Sequence, residues 1–303
     1  EEIHVLGEEA GRLLKDFICS GGKRLRAAFT YYGYHAVGGE NVENILYASA
    51  GMEILHNFFL IHDDIIDKSD LRRKEPTIHK RYEQDYEGKG LISDLSEQDK
   101  AHFASSMAII VGDICCALAY EALIDSGFNE NKILTGLQMM HETVKITAIG
   151  EILDIVKPIE NWATEEEVLQ IHLLKTSKYT VECPLHLGAI LHGTNQEILR
   201  SLSAYAIPVG IAFQLRDDIL GIFGTEEQLG KPIGSDIEEG KQTLLIVKAL
   251  EKASPAQKNK LANLVGNSNI DNADLDDVKS IIIETGALKY SEEKTISLIE
   301  EGK

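Results

Sequence analysis

The chain has 303 residues, 44% hydrophobic and 26% charged, which excludes a disordered or collagen-like polymer and allows one large domain or two small ones. Its 49 acidic residues against 30 basic ones give a net charge of -19. That excludes a general nucleic-acid binder, and any anionic partner must be met by cations concentrated locally.

In chain order, apolar residues recur at helical spacing almost throughout, and only 6 prolines interrupt them, so an all-α fold with one domain over residues 1–303 is expected. The pattern predicts helices over Glu2–Cys19, Lys23–Val37, Val42–Asp67, Asp99–Asp125, Asn131–Val156, Thr164–Leu191, Gln196–Ile222 and Lys241–Ala253, followed by two shorter ones. Thr164 before Glu165, Glu166 and Glu167 reads as an N-cap with acids at the positive end of the helix dipole. Lys68–Gly90 and Phe223–Gly240 are the two irregular stretches, and each follows an acidic helix end. Met107–Ile124 is the most apolar long stretch, but Asp113 and Glu121 interrupt it, so no membrane span is expected. Cys19, Cys115, Cys116 and Cys183 lack CxxC spacing, which points to reduced thiols and a cytoplasmic protein. The first methionine is Met52, so the natural start is expected to precede Glu1.

The chemistry concentrates at the acidic ends. Asp63 and Asp67 close a strongly apolar helix at i and i+4, about 6 Å apart along its axis, and share a face. Such a pair is either a solvated helix end or a cation site. Asp217 and Asp218 follow a second apolar run, Ile207–Leu215. Carboxylates without clustered cysteine or histidine suit a hard dication such as Mg2+, which keeps waters and engages substrate phosphates. Gly21-Gly22-Lys23-Arg24-Leu25-Arg26 places cations at a helix start, where the dipole ordinarily favours acids, so an anion is expected there. Lys23 and Arg26 converge at i and i+3, with Arg24 directed elsewhere. Arg72-Arg73-Lys74, Lys231 and Lys241 add cations beside the aspartates. Lys175 lies among Ile171, Leu173 and Leu174, where it either snorkels or serves a nearby charge.

With these pieces in order, the sequence resembles the trans (E-type) isoprenyl diphosphate synthases. The motifs are GGKRLR at Gly21–Arg26, DDIID at Asp63–Asp67, LRRKEPTIH at Leu71–His79, GD at Gly112-Asp113, KT at Lys175-Thr176, FQLRDD at Phe213–Asp218 and GKPIGSDIEEGKQT at Gly230–Thr243. The resemblance implies an isoprenoid synthase fold, a helical bundle around a central cavity. It implies two Mg2+ ions on Asp63 and Asp67 and a third on Asp217, bridging to an allylic diphosphate. Arg72, Lys175, Lys231 and Lys241 would surround that diphosphate. Isopentenyl diphosphate would lie on Lys23, Arg26, His56 and Arg73, and Thr176 and Gln214 would face the reacting carbons. A homodimer is also implied. The chain departs from the pattern at Gly221, where a third aspartate is usual, and at Lys74-Glu75 before Pro76.

Phe59 lies one turn deeper than Asp63, and the resemblance makes bulky residues at positions 58 and 59 the floor that stops a growing tail. Two phenylalanines there predict a product near farnesyl diphosphate (C15), with geranylgeranyl diphosphate (C20) next; the same rings are also ordinary core material. Four rival readings explain less. Glu53-x-x-His56 matches half of a di-iron bundle motif, but no second copy follows. His62-Asp63 as a phosphohydrolase pair leaves Gly21–Arg26 unexplained. A class I terpene cyclase has no use for Lys23, Arg26 and Arg73, and a non-catalytic regulatory subunit is expected to have lost the intact Asp63–Asp67 motif.

Overall fold

The computed structural model describes residues 5–225, 227 and 233–303, and apart from one short hairpin its regular elements are helices. The first three, α1 (Val5–Cys19), α2 (Leu25–Ala36) and α3 (Val42–Ile66), show how pattern becomes packing. The Asn41 side chain accepts the Asn44 backbone N–H and starts α3, along which Ile45, Ala48, Met52 and Leu55 form a fully buried 3-4-3 stripe. Burying a side chain such as Met52 or Leu55 contributes about 2 kcal/mol. That stripe and its flank meet α5 (Glu97–Ile124), whose small residues Ala104, Ala108, Cys115 and Ala119 allow close approach.

Between them lie β1 (Leu71–Arg72), β2 (Glu75–Pro76) and α4 (Ile78–Gly88). The strands pair antiparallel around Arg73-Lys74, both with positive φ of 56° and 68°. A two-residue turn of this hand favours glycine and asparagine, so two cations there hold local strain, as functional loops often do. The expected irregular stretch is therefore a hairpin and a helix. The α4 pattern was hidden because only Ile78, His79 and Tyr82 are buried on an otherwise charged segment.

After α6 (Glu130–Glu160), the chain forms α7 (Glu165–Ile171), a π-helical segment (His172–Glu182) and α8 (Cys183–His192) without a break. Thr164 is the N-cap expected at α7, and with Glu167 it forms a reciprocal capping box. The single helix expected over Thr164–Leu191 is thus continuous in residue range but changes its hydrogen-bonding pattern. Next come α9 (Gln196–Phe223), α10 (Ser235–Glu238), α11 (Leu244–Lys252), α12 (Pro255–Leu264), α13 (Asn272–Glu284) and α14 (Ala287–Glu301). Three helices follow α11 instead of two, and α11 begins at Leu244, which leaves Lys241 in the preceding turn.

The π segment packs on α6 and α9, α2 on α8, and α3 on α2 and α5. α3, α6, the π segment and α9 enclose a cavity of about 640 Å³. Ile219, Ile222, Ile246, Leu261, Val278 and Ile282 form a separate core under α11–α13 and hold the end of α9. By length and composition alone α5 and α9 are long and apolar enough to cross a membrane, and each packs one face into the bundle.

Candidate active site

The acidic ends of α3 and α9 meet one cavity. Asp63 and Asp217 line it, and Asp67 reaches its rim through the 2.9 Å ion pair with Lys241. The neighbouring carboxylates have different surroundings. Asp64 is 1% exposed and binds Arg72 at 2.8 Å through Nε. Burial pushes its carboxyl up to about 6 despite that arginine, with Asp63 and Asp67 adding to the rise. Asp218 is buried too, accepting from Gln214 Nε2 at 2.9 Å and lying 3.2 Å from His172 Nε2. Asp63, Asp67 and Asp217 are thus the members of the two motifs left facing the mouth.

Three cations interleave with these acids. Arg72 lies 3.3 Å from Asp63 as well as binding Asp64. Lys175 pairs with Glu151 and Asp154 at 2.7 Å and with Asp63 at 3.5 Å. Lys241 pairs with Asp67, with Glu239 at 2.6 Å and with Asp236 at 3.9 Å. Burial opposes the charge of both lysines, but the surrounding carboxylates outweigh it and raise their pKa values. Lys231 lies outside the described residues.

A second charge region lies beside the first. Lys23, Arg26, His56 and Arg73 all line the cavity. Arg24 is drawn off by the Ile18 carbonyl at 2.7 Å and Glu53 at 3.6 Å, as its position predicts. The backbone N–H groups of Arg26 and Ala27 are not open to an anion as expected: both donate to Glu53 Oε1 at 3.1 Å. α2 also starts at Leu25, since Arg24 has a φ of 52°, so Lys23 precedes the helix. The anion preference therefore rests on side chains. His56 reports it: burial first, then Arg26, Arg73, Arg72 and Arg24, hold its imidazole well below the ordinary pKa and so neutral at pH 7.

The π segment sets the remaining contacts. Thr176 Oγ1 donates to Gln214 Oε1 at 2.8 Å, and Gln214 donates on to Asp218, so the two sequence-predicted residues do meet. π turns often mark functional sites because they re-aim side chains. Here Gly150 permits the geometry: a Cβ at that position would lie 2.5 Å from the Lys175 backbone nitrogen. Gly221 has an equally local cause, since a Cβ there would lie 2.5 Å from Asp236 Oδ2. The carboxylate of Asp236 occupies the space toward which a third motif aspartate would project.

Glu53, Glu151, Asp154, Asp236, Glu239 and Tyr179 also line or support this site and were missed from sequence. Glu151 and Asp154 carried one signal, an i and i+3 acid pair directly after Gly150. The rim holds more carboxylates than Arg72, Lys175 and Lys241 can neutralise. Among the described residues no three ligating groups converge into a ready-made cage. Sparse, all-oxygen donors with excess negative charge fit magnesium, which takes few protein ligands and completes its shell with water and substrate phosphate.

A family model described as polyprenyl synthetase matches residues 8–282. A geranylgeranyl diphosphate synthase of Saccharolobus solfataricus is 36% identical over 274 residues, covering 90% of this chain and 75% of that one. A geranylfarnesyl diphosphate synthase of Aeropyrum pernix is 31% identical, covering 94% and 83%. Among solved structures, a Corynebacterium glutamicum geranylgeranyl pyrophosphate synthase complexed with isoprenyl diphosphate and magnesium superposes with a TM-score of 0.90. It shares 34% identity and covers 98% of this chain and 84% of that one.

Proposed function

Because the chain belongs to the polyprenyl synthetase family and is a short-chain isoprenyl diphosphate synthase, we propose that it condenses isopentenyl diphosphate with an allylic diphosphate, head to tail and all-trans. One observation carries this reading: a single cavity holds an acidic region at Asp63 and Asp217 and, beside it, an arginine-rich region at Arg26 and Arg73. A metal-bound allylic diphosphate suits the first, and a second diphosphate suits the other.

Asp63 and Asp67 would hold two magnesium ions and Asp217 a third. When bound, they offset the negative charge that grows on the departing diphosphate. Arg72, Lys175 and Lys241 add fixed positive charge around it, in a cavity whose apolar walls strengthen the attraction. Lys23, Arg26, His56 and Arg73 hold isopentenyl diphosphate; His56, neutral, contributes a hydrogen bond without competing for the proton. The allylic C–O bond breaks, the isopentenyl double bond attacks the freed carbon, and a proton leaves to the released diphosphate. Thr176 and Gln214, bound to each other, border the reacting carbons. No protein nucleophile takes part.

The product we propose is C15, because the Phe58 and Phe59 rings both line the cavity one turn below Asp63 and lie 4.9 Å apart. A C20 product is the second reading, favoured by the names of the relatives. We also propose that the whole chain acts as one domain and pairs with a second copy through α5 and α6. Ile109, Ile110, Ile114 and Leu118 of α5 and Ile149 and Ile155 of α6 are each exposed, while Asp113 and Glu121 on α5 disfavour lipid as their cover.

The test is incubation of the purified chain with labelled isopentenyl diphosphate, Mg2+ and C5, C10 or C15 allylic diphosphates. Label incorporation ending at C15 supports the proposal, and C20 favours the second reading. A hydrocarbon formed from the allylic substrate alone would favour a cyclase, and no turnover without an added subunit would favour a regulatory role.

A further inference from the structure

Tyr179 belongs to no motif, yet it touches both the arginine-rich region and the Phe59 ring below the acidic one. On α3, Asp63 and Phe59 stand one turn apart; on the π segment, Lys175 and Tyr179 are likewise separated by four residues. The two rails meet rung by rung. Lys175 lies 3.5 Å from Asp63 at the mouth, and the Tyr179 ring lies 4.9 Å from that of Phe59 at the deeper level. The far end of the same side chain turns to the arginine-rich region. Arg26 Nη2 donates to Tyr179 Oη at 2.7 Å, the guanidinium lies 4.5 Å from the ring centroid, and His56 Nδ1 is 3.4 Å from the hydroxyl.

We propose that Tyr179 is a positioning and specificity-determining residue: its hydroxyl and ring fix the Arg26 guanidinium for isopentenyl diphosphate, while its ring and that of Phe59 close the tail channel. Arg26 is 9% exposed and also donates to Thr180 Oγ1 at 2.7 Å, but its Nε has no partner. Nη2 carries both bonds and is held from two sides, and because Arg26 lines the cavity, Tyr179 supplies both a hydrogen bond and the aromatic face that fix its guanidinium there. The same side chain therefore sets how well the second substrate binds and how long the product becomes.

This inference rests on the condensation proposed above, and two variants separate its parts. Tyr179→Phe keeps the ring and removes the hydroxyl. It should raise KM for isopentenyl diphosphate about ten-fold, the usual consequence of losing a hydrogen bond to a charged group. KM for the allylic substrate and product length should stay at parent values. Tyr179→Leu also removes the ring, and should add at least one isoprene unit to the product. An unmoved isopentenyl KM in the first variant, or parent product length in the second, overturns the assignment while the parent remains active. An inactive parent would overturn the condensation reading, and this assignment with it.

Discussion

Asp63 and Asp64 are neighbours with opposite duties. Asp64 is buried against Arg72, and breaking a buried ion pair leaves the remaining charge without its partner, which typically costs about 3–5 kcal/mol. Arg72 keeps Asp63 at 3.3 Å, so the loss should sit at the lower end, about 3 kcal/mol, for Asp64→Ala. Asp63 is partly exposed at the cavity wall, and Asp63→Asn should change stability by less than about 1 kcal/mol while lowering kcat by about a hundred-fold or more. Denaturant unfolding and steady-state turnover of the two variants check this contrast. Equal destabilisation by both substitutions would show that the roles are not divided.

At the level of elements, α14 is tied to α7 through one carboxylate. Glu165 accepts from Lys248 at 2.8 Å, from Lys294 at 3.2 Å and from Tyr290 Oη at 2.8 Å. Burial works against the charge, but these donors outweigh it and hold the carboxyl at about 2. Its folded pKa lies below the unfolded value, so its stabilisation is complete above about pH 4.5 and is lost as pH falls toward 2. Glu165→Gln should accordingly be less stable than the parent at pH 6, with the difference shrinking toward pH 2.5. A difference in melting temperature that stays constant across that range would contradict the tie. Other elements differ in how openly the sequence announces them. The Met52–Leu55 stripe and the Thr164 N-cap are local patterns, readable because helix period and cap chemistry act within a few residues. α4 was hidden by its charge, and the π segment depends on the close approach of α6 at Gly150, which only the closed fold supplies. The site divides in the same way. Asp63, Asp217, Lys175 and Arg26 stand in motifs, whereas Glu53, Glu151 and Tyr179 acquire their roles from helices distant in sequence.

For the whole molecule, the net charge of -19 makes the local cations Arg26, Arg72 and Arg73 the feature through which the proposed diphosphates would be admitted. The same scale carries the oligomer. If the open face of α5 meets a second copy, sedimentation should give twice the 33.5 kDa chain mass, and Ile110→Glu with Ile114→Glu should yield a monomer. A parent that sediments as a monomer at all accessible concentrations would contradict that pairing. The central claim is that the acid tips of α3 and α9 hold dications against one diphosphate. Its most direct measurement is anomalous diffraction from crystals grown with Mn2+ and an unreactive allylic diphosphate analogue. The account predicts metal peaks at Asp63, Asp67 and Asp217, with the analogue's phosphates reaching Lys175 and Lys241. Metal bound elsewhere, or an analogue seated with no metal at these three aspartates, would contradict it.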